Sequence, residues 1–298
     1  MKKIKKITIF CDGGGKKGIG HIRRSMSLYQ LFKKNNYKTN ILPLSKYCKK
    51  FLPEKNTESV SKLIIFDGPY NSSNQKKLIK LKSYGNTIIT MDWFGDFIPD
   101  YNIVIYPHKK VNAKLKKFIS LGYIIINQKF VDFKKKINTD TAKIKKINNT
   151  KVLIMIGGGD ILGLGKINAE YLHKLGFQVT LIEGPLVRKK LNSNKIKILK
   201  NPSNLHKIFH QNDWVVTNGG NSLFESIFLK KPTYVLPQSK EEIRIAKLFK
   251  KKKLILGFGK KVKNIPSPEE IKYFYKGKET IIDAKGSTRI FKIVNNLI

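Results

Sequence analysis

Cysteine is scarce in this sequence, since Cys11 and Cys48 are the only two among 298 residues. They form neither a CxxC pair nor a metal-ligand spacing, and two cysteines cannot build a disulfide framework. Long apolar runs are lacking as well. No run approaches the ~20 residues of a membrane span, and the apolar stretch near the start is too short for a signal peptide. These absences predict a protein of a reducing compartment, and we expect it to be cytoplasmic.

Acidic residues are also few. The chain has 20 Asp and Glu against 60 Lys and Arg, a formal net charge of +40 at pH 7. Such a charge attracts anionic partners, nucleic acid among them. Arginine, the preferred reader of guanine, occurs only at positions 23, 24, 188, 244 and 289. Because lysine, asparagine and isoleucine are abundant together, the charge is more typical of compositional drift. This disfavours nucleic acid as a partner and leaves contact with an anionic membrane surface open.

The remaining composition is that of a globular protein, with 41% hydrophobic residues, and the length favours two domains. Short runs rich in Ile and Val alternate with amphipathic stretches, in two series. The expected strands are 4–10, 39–44, 63–66, 87–91, 103–106, 123–126, 152–156, 178–182, 196–199, 214–217, 233–236 and 254–256. Strands that are apolar on both faces predict parallel sheets covered by helices.

Two such series predict an α/β protein of two Rossmann-like, doubly wound domains, with ligand bound in a cleft at the carboxyl ends of the strands. We place the N-terminal domain at residues 1–128 and the C-terminal domain at residues 151–298. The polar, lysine-rich segment 129–150 is the expected linker between them. We expect a monomer.

A glycine-rich loop separates the first expected strand from the first expected helix. The residues of interest are Gly18, Gly20, His21, Arg23 and Arg24. Glycine permits close approach of the backbone to a ligand, and a helix N-terminus favours anions. A neutral histidine at that place suits a general base. The loop is neither a Walker A motif nor a dinucleotide fingerprint, and a flexible turn with a surface histidine is the alternative.

Two loops in the second series are also candidate binding elements. The first consists of Gly157, Gly158, Gly159 and Asp160. It is predicted to line the cleft, and a tight turn with Asp160 as a helix cap is the equal alternative. The second consists of Asn218, Gly219, Gly220, Asn221 and Ser222. Its backbone N–H groups open a helix and are expected to bind an anionic group.

The pattern GxGHxxR at residues 18–24 resembles the UDP-sugar hydrolases of pseudaminic acid biosynthesis and their relatives in spore-coat polysaccharide synthesis. That group is related to the peptidoglycan N-acetylglucosaminyltransferase, and the resemblance therefore implies the GT-B fold. It runs over most of the chain. The other parts that carry it are 92–107, Gly122-Tyr123, Phe130, 157–160 and Glu225, which stands seven residues after Asn218.

The resemblance implies a metal-independent hydrolase that releases UDP and a free amino-deoxy sugar through inverting attack of water at the anomeric carbon. His21 is then the catalytic base, and the amides of 218–222 stabilise the leaving diphosphate. Glu225 binds the ribose hydroxyls, with a solvated helix charge as its alternative. Neither a metal nor another cofactor is expected, since no clustered carboxylate pair demands one. A GT-B glycosyltransferase with a UDP-sugar donor and a lipid or glycan acceptor is the first alternative function. A non-catalytic binder of anions or nucleic acid is the second.

The chain departs from this family at two places. Where the hydrolases tend to have Asp-His-Tyr-Gly, residues 67–70 read Asp-Gly-Pro-Tyr. Tyr70 is therefore expected at the substrate in place of the family's tyrosine, with a plain turn as the alternative. Asp92 is expected to orient His21 or to hold the sugar. Near 238–242 the family often carries Asn-Gln, and Lys240 and Glu241 stand there instead, which changes the charge beside the expected sugar.

One histidine pair invites a metal interpretation. His206 and His210 are four residues apart, a spacing that can hold zinc on one helix face. No third ligand stands in an obvious motif. We therefore expect a surface or capping role for both rings.

Overall fold

The computed structural model describes residues 5–14, 18–53, 59–105, 117–137, 150–187, 193–263, 265–275 and 282–297. The chain forms two compact units, Met1–Ile125 with Ala284–Ile298 and Ile126–Asp283. The expected boundaries instead assigned 284–298 to the second domain and 129–150 to a linker. Residues Gln128–Lys136 of that linker form a helix of the second unit, and 138–149 lie outside the described residues.

The first unit contains a six-stranded parallel sheet of order β2-β1-β3-β4-β5-β6. Its strands are β1 (Lys6–Cys11), β2 (Lys38–Pro43), β3 (Leu63–Asp67), β4 (Thr87–Met91), β5 (Tyr101–Val104) and β6 (Lys117–Ile119). Its first helices are α1 (Gly20–Lys34), α2 (Lys46–Lys49) and α3 (Ser72–Ser83). The continuous apolar runs form the strands that are buried on both faces, as the parallel-sheet pattern requires; every residue of β3 is buried.

The second unit repeats this plan with a parallel sheet of order β12-β11-β10-β7-β8-β9. Its strands are β7 (Lys151–Met155), β8 (Gln178–Glu183), β9 (Lys197–Lys200), β10 (Trp214–Thr217), β11 (Thr233–Val235) and β12 (Gly257–Phe258). Its helices are α4 (Gln128–Lys136), α5 (Leu164–Lys174), α6 (Leu205–Gln211), α7 (Asn221–Phe228), α8 (Lys240–Lys251) and α9 (Pro268–Tyr275). Trp214 lies fully buried in its core against Phe177.

The C-terminal helix (Gly286–Asn295) belongs to the first unit because of an aromatic contact with α1. The rings of Phe32 and Phe291 have centroids 5.3 Å apart. The hydroxyl of Tyr37 donates to Asn295 Oδ1 at 2.9 Å. Hydrophobic periodicity does not predict that the C-terminal helix packs on the first unit, because an amphipathic helix can cover either sheet.

Most expected strands form within one or two residues of their predicted ends, and two do not. At 123–126 a short 3-10 turn, Leu121–Tyr123, replaces the start of the expected strand. The Ser120 side chain accepts from Gly122 N and starts the turn, and the sheet edge is formed by β6 just before it. The last expected strand, 254–256, is displaced to Gly257–Phe258. No helix among the described residues is long and apolar enough to cross a bilayer.

The strand orders define one topological switch point in each sheet. From β1 the chain moves to β2 on one side and then to β3 on the other, so the switch lies between β1 and β3. In the second sheet the same reversal lies between β7 and β10. Ligands of open α/β sheets bind at the carboxyl ends of such strands. The loops after these four strands are therefore the places to look for a site.

Candidate functional site

A histidine and a buried aspartate meet at the switch point of the first sheet. His21 is the second residue of α1, and Asp67 ends β3. His21 Nδ1 lies 2.6 Å from Asp67 Oδ1. Because an ionised carboxylate only accepts hydrogen bonds, Nδ1 carries the proton in this contact. In the neutral ring the other nitrogen, Nε2, is then the acceptor, on a side chain that is 32% exposed.

Asp67 is held by three further donors. Arg24 Nε and Nη2 donate to its two oxygens at 2.7 and 2.5 Å, a bidentate pair. Ser25 Oγ donates to Oδ2 at 2.9 Å. Burial favours a raised pKa for this fully buried carboxyl, but the Arg24 charge, the His21 contact and the hydrogen bonds hold the pKa well below its usual range. Asp67 is therefore a permanent anion beneath His21.

Arg24 also connects Asp67 to Asp92. Its third nitrogen, Nη1, donates to Asp92 Oδ2 at 2.7 Å, and the amide of Ile105 donates to Oδ1 at 2.8 Å. Asp92 adopts a left-handed backbone with φ 51°, which places its side chain toward α1 at the end of β4. All three guanidinium nitrogens thus face carboxylates of the protein. The aspartate that contacts His21 is Asp67. Asp92, which was expected to orient His21 or to hold the sugar, pairs with Arg24.

The glycine loop before α1 is shaped by close backbone contacts. Gly13 has φ 156°, and a Cβ there would lie 2.6 Å from Ile22. Asp12 Oδ1 accepts from the amide of Gly13 and from Ser45 Oγ. Gly18 has φ 70° and Gly20 begins α1. Residues 15–17 lie outside the described residues, and Arg23 is half-buried one position before Arg24.

Tyr70 lies on the same edge of the first sheet, after β3. Its ring is 55% exposed and packs edge-on against Trp93 with centroids 5.6 Å apart. It also covers Gly95, where a Cβ would meet the ring. Tyr70, which was expected to replace the family's tyrosine, thus presents an exposed ring that is held in place by its contact with Trp93.

The glycine loop of the second unit follows β7 at the other switch point. Gly157 has φ 54°, and a Cβ there would lie 3.1 Å from the Asn218 side chain. Gly158 O accepts from the amide of Leu186 at 2.8 Å, and Gly159 packs on the same residue. The loop therefore lies between the Asn218 side chain and Leu186.

Asp160 caps the helix after this loop. Its two oxygens accept from the amides of Leu164 and Gly165 at 2.9 and 2.6 Å. Burial raises the pKa of this carboxyl, against the opposing effect of the backbone donors. Asp160 thus supplies the acceptors of a helix cap, although the N-cap residue itself is Gly163.

The loop after β10 leads directly into α7. Gly220 is the N-cap residue, with no side-chain hydrogen bond to the helix start, and Asn221 and Ser222 form its first turn. Asn218 Nδ2 donates to Glu242 Oε1 at 2.6 Å. Gly219 packs against the backbone of Glu242 so closely that a Cβ would clash. The first amides of a helix have no intrahelical acceptor, so this loop presents donors at the carboxyl end of β10.

Glu225 lies on the next turn of α7 and is only 3% exposed. It is therefore no solvated helix charge, and that alternative is wrong. Burying a carboxylate costs free energy. The glutamate at this position is therefore expected to have a specific role.

The structure gathers the predicted residues into two groups, one in each unit. His21, Arg24 and Asp92 form one network, and Gly157 lies beside Asn218 in the other. Sequence reasoning missed Asp67 as the partner of His21 and Glu242 as the partner of Asn218. One signal in the sequence could have identified Asp67 as a site residue: it is a charged residue at the end of an otherwise apolar strand.

The histidine pair of α6 packs on aromatic rings. The rings of His206 and His210 have centroids 5.0 and 5.4 Å from that of Phe133 on α4, in edge-on geometry. Burial lowers the pKa of both imidazoles, with a further contribution from nearby lysines. We expected a surface or capping role for these histidines. His210 is exposed and His206 half-buried, and the contacts with Phe133 are helix-to-helix packing rather than capping.

Comparison with known proteins adds information about the fold. No family model matches the chain. A curated protein of Methanocaldococcus jannaschii, the uncharacterized protein MJ1062, is 27% identical over 288 residues. That match covers 78% of this chain and 56% of the relative, so the chain spans little more than half of the relative's length.

Solved structures of GT-B proteins resemble the whole chain. The glycotransferase of kitacinnamycin matches with a TM-score of 0.56 at 12% identity, over 100% of this chain and 95% of its own. The S. aureus MnaA–UDP co-structure matches with a TM-score of 0.59 at 10% identity, over 99% and 98%. The predicted GT-B fold, with two Rossmann-like parts, is confirmed. Membership of the hydrolase family stays a prediction.

Proposed function

We propose that this chain is a nucleotide-sugar-dependent glycosyltransferase of the GT-B fold, with His21 as its general base. The observation that carries the proposal is the contact between His21 Nδ1 and Asp67 at the switch point of the first sheet. It orients an imidazole at the place where ligands of this sheet type bind. It also leaves Nε2 as the proton acceptor.

The proposed proton transfer follows from the charges around His21. Nε2 takes the proton of an acceptor hydroxyl as its oxygen attacks the anomeric carbon. The imidazolium that forms is stabilised by the buried Asp67 anion 2.6 Å from Nδ1. Arg24 pairs with both Asp67 and Asp92 and offsets one of their two negative charges, and therefore acts as a positioning residue in this scheme.

The second unit supplies the proposed donor site. The amides at the start of α7, in Gly220, Asn221 and Ser222, are oriented to stabilise charge that develops on a leaving diphosphate. Gly157–Gly159 lie at the same switch point and allow close backbone approach. Glu225 remains the predicted partner of the ribose hydroxyls, and Arg23 and Tyr70 remain predicted substrate contacts.

The resemblance to a glycotransferase and to a UDP-bound protein supports a nucleotide-sugar donor. Hydrolysis is the second candidate function. It is favoured by the GxGHxxR pattern at residues 18–24, on which the likeness to the UDP-sugar hydrolases depends. Both functions share the donor and the base, and they differ only in whether a sugar or lipid hydroxyl or water attacks.

One experiment separates these functions. The purified protein is incubated with a panel of UDP-sugars, with and without lipid and glycan acceptors, and the products are identified by NMR. We expect UDP release that depends on an acceptor and yields a new glycoside. Equal release of UDP and free sugar in water alone assigns the hydrolase, and absence of UDP release in every arm contradicts both.

The role of His21 has its own control. His21→Ala is expected to lower turnover by ~10²–10⁴, the usual contribution of a general base, while UDP binding stays near normal. His173→Ala, which changes a half-exposed histidine of α5, is expected to leave turnover unchanged. An unchanged rate in His21→Ala removes this residue from the mechanism.

A further inference from the structure

Glu242 joins the two loops that flank the proposed donor site in the second unit. It lies in the first turn of α8, and its Oε1 accepts from Asn218 Nδ2 at 2.6 Å. Its Oε2 accepts from the amide of Gln238 at 2.7 Å. The amide of Gly219 is a third donor to the same carboxylate. Burial raises the pKa of Glu242, and the three donors oppose that rise. The carboxylate thus holds together the loops that follow β10 and β11.

The backbone contact beneath this carboxylate is equally close. A Cβ on Gly219 would lie 2.7 Å from Glu242 Cβ and 3.0 Å from its Cα. Contacts under 3.0 Å between such atoms require one of the backbones to move. Glycine at 219 is therefore needed for the loop to reach α8 at all.

The same contact determines the orientation of Asn218. Because a carboxylate accepts and does not donate, Nδ2 is the atom bonded to Glu242. Oδ1 and Nδ2 both lie beside the glycine loop, 3.1 and 3.2 Å from a Cβ placed on Gly157. Oδ1 is buried and has no hydrogen-bond partner within the part of the chain that the structure describes. A buried acceptor without a donor is costly. We therefore infer that the hydrogen bond from Nδ2 to Glu242 holds Asn218 in this orientation.

We propose that Glu242 is a positioning residue that holds the Asn218–Gly220 loop in the conformation that binds the nucleotide diphosphate. This inference rests on the proposed function, because it assigns a role toward the same donor site. Glu242 does not contact the ligand in this scheme. It acts through Asn218 and Gly219, so that the amides at the start of α7 are already oriented when the ligand arrives.

A glutamate suits this task better than its amide. All three partners are N–H donors, and a carboxylate offers acceptors on both oxygens. Glutamine would offer one acceptor and bring one NH₂ group against a donor. The loop is then ordered before the ligand binds. Binding therefore does not have to offset the entropic cost of ordering it.

The test combines UDP calorimetry with amide hydrogen exchange on Glu242→Gln. We expect UDP affinity to fall about tenfold or more, the loss that follows from removing one charged hydrogen bond. We also expect faster exchange in the peptide that covers 217–222, with the rest of the second unit unchanged. Glu170→Gln is the matched control, since this glutamate of α5 is exposed and lies outside the two loops, and we expect it to leave both readouts at the wild-type level.

Gly219→Ala is the second variant, and it is expected to reproduce the affinity loss because the added methyl group separates the loop from α8. Wild-type UDP affinity in Glu242→Gln, or unchanged exchange in the 217–222 peptide, overturns the inference while the proposed function stands. Failure of the wild-type protein itself to bind UDP overturns the donor site and this inference together. These outcomes are told apart by the wild-type titration.

Discussion

His21 and Asp67 are 46 residues apart in sequence, and their side chains meet at 2.6 Å because β1 and β3 are neighbours in the sheet. The pairing of Cys11 with Asp67 across these strands brings the loop after β1 beside the end of β3. A helix that starts at this loop therefore presents its first turn to a buried anion. This relationship supplies the first test of the proposed chemistry.

Asp67→Asn is expected to lower kcat by ~10²–10⁴ with little change in UDP affinity. The side-chain amide of Asn brings an NH₂ donor into a place where the neighbouring groups are themselves donors to Asp67. Where it faces His21, it favours the tautomer with the proton on Nε2, which cannot act as a base. Steady-state kinetics with the best nucleotide sugar from the panel, together with calorimetry of UDP, measure the two effects. A kcat within threefold of wild type would exclude Asp67 from orienting the base.

Arg24→Met tests whether this arginine stabilises the fold rather than binding substrate directly. Removing it leaves Asp67 buried without its main counter-charge, and breaking a buried pair costs about 3–5 kcal/mol. Urea unfolding of the variant is therefore expected to show a loss of that size. Arg244→Met, which changes an exposed arginine of α8, is the control and should change the free energy of unfolding by less than about 0.5 kcal/mol, as most surface changes do. Equal stability of the two variants would contradict the network described around Asp67.

Sequence reasoning identified the elements and could not identify their partners. The apolar runs of β3, β7 and β10 and the glycine loops after β1 and β7 follow from local pattern alone. Arg24 was a candidate binding residue because it follows the glycine loop and the histidine in the GxGHxxR pattern. Its burial against Asp67 depends on which strand lies beside β1, and local sequence does not carry that information.

The same limit explains the C-terminal helix and the strand at 254–256. The amphipathic pattern of Gly286–Asn295 predicts a covered face. The partner of that face is α1, in the first unit rather than in the second, as the contact between Phe32 and Phe291 shows. At 254–256 a buried apolar run was interpreted as strand. The ladder with β11 instead begins at Gly257, because a short run can be buried without pairing.

Asp160→Ala separates the two roles that the sequence left open for this residue. Its carboxylate accepts from two amides at the start of α5, so losing it is expected to cost about 1 kcal/mol, the usual value of a helix cap. UDP affinity is expected to stay within twofold of wild type. Thermal unfolding and UDP calorimetry on one protein preparation measure both quantities. A large loss of affinity with unchanged stability would instead assign Asp160 to the ligand.

The histidine pair on α6 predicts how stability depends on pH. Burial lowers the pKa of His206 and His210 in the folded protein relative to about 6.5 in the unfolded chain. Between the folded and the unfolded pKa, the unfolded state binds more protons than the folded state. The contribution of the two neutral histidines to stability is therefore fully present above pH ~6.5 and is lost as the pH falls through the folded pKa. Urea midpoints are expected to decrease between pH 7.5 and 5.5. Replacing both residues with Phe preserves the packing on Phe133 and should make this decrease smaller. An identical decrease in the double variant would show that other groups control stability in this range.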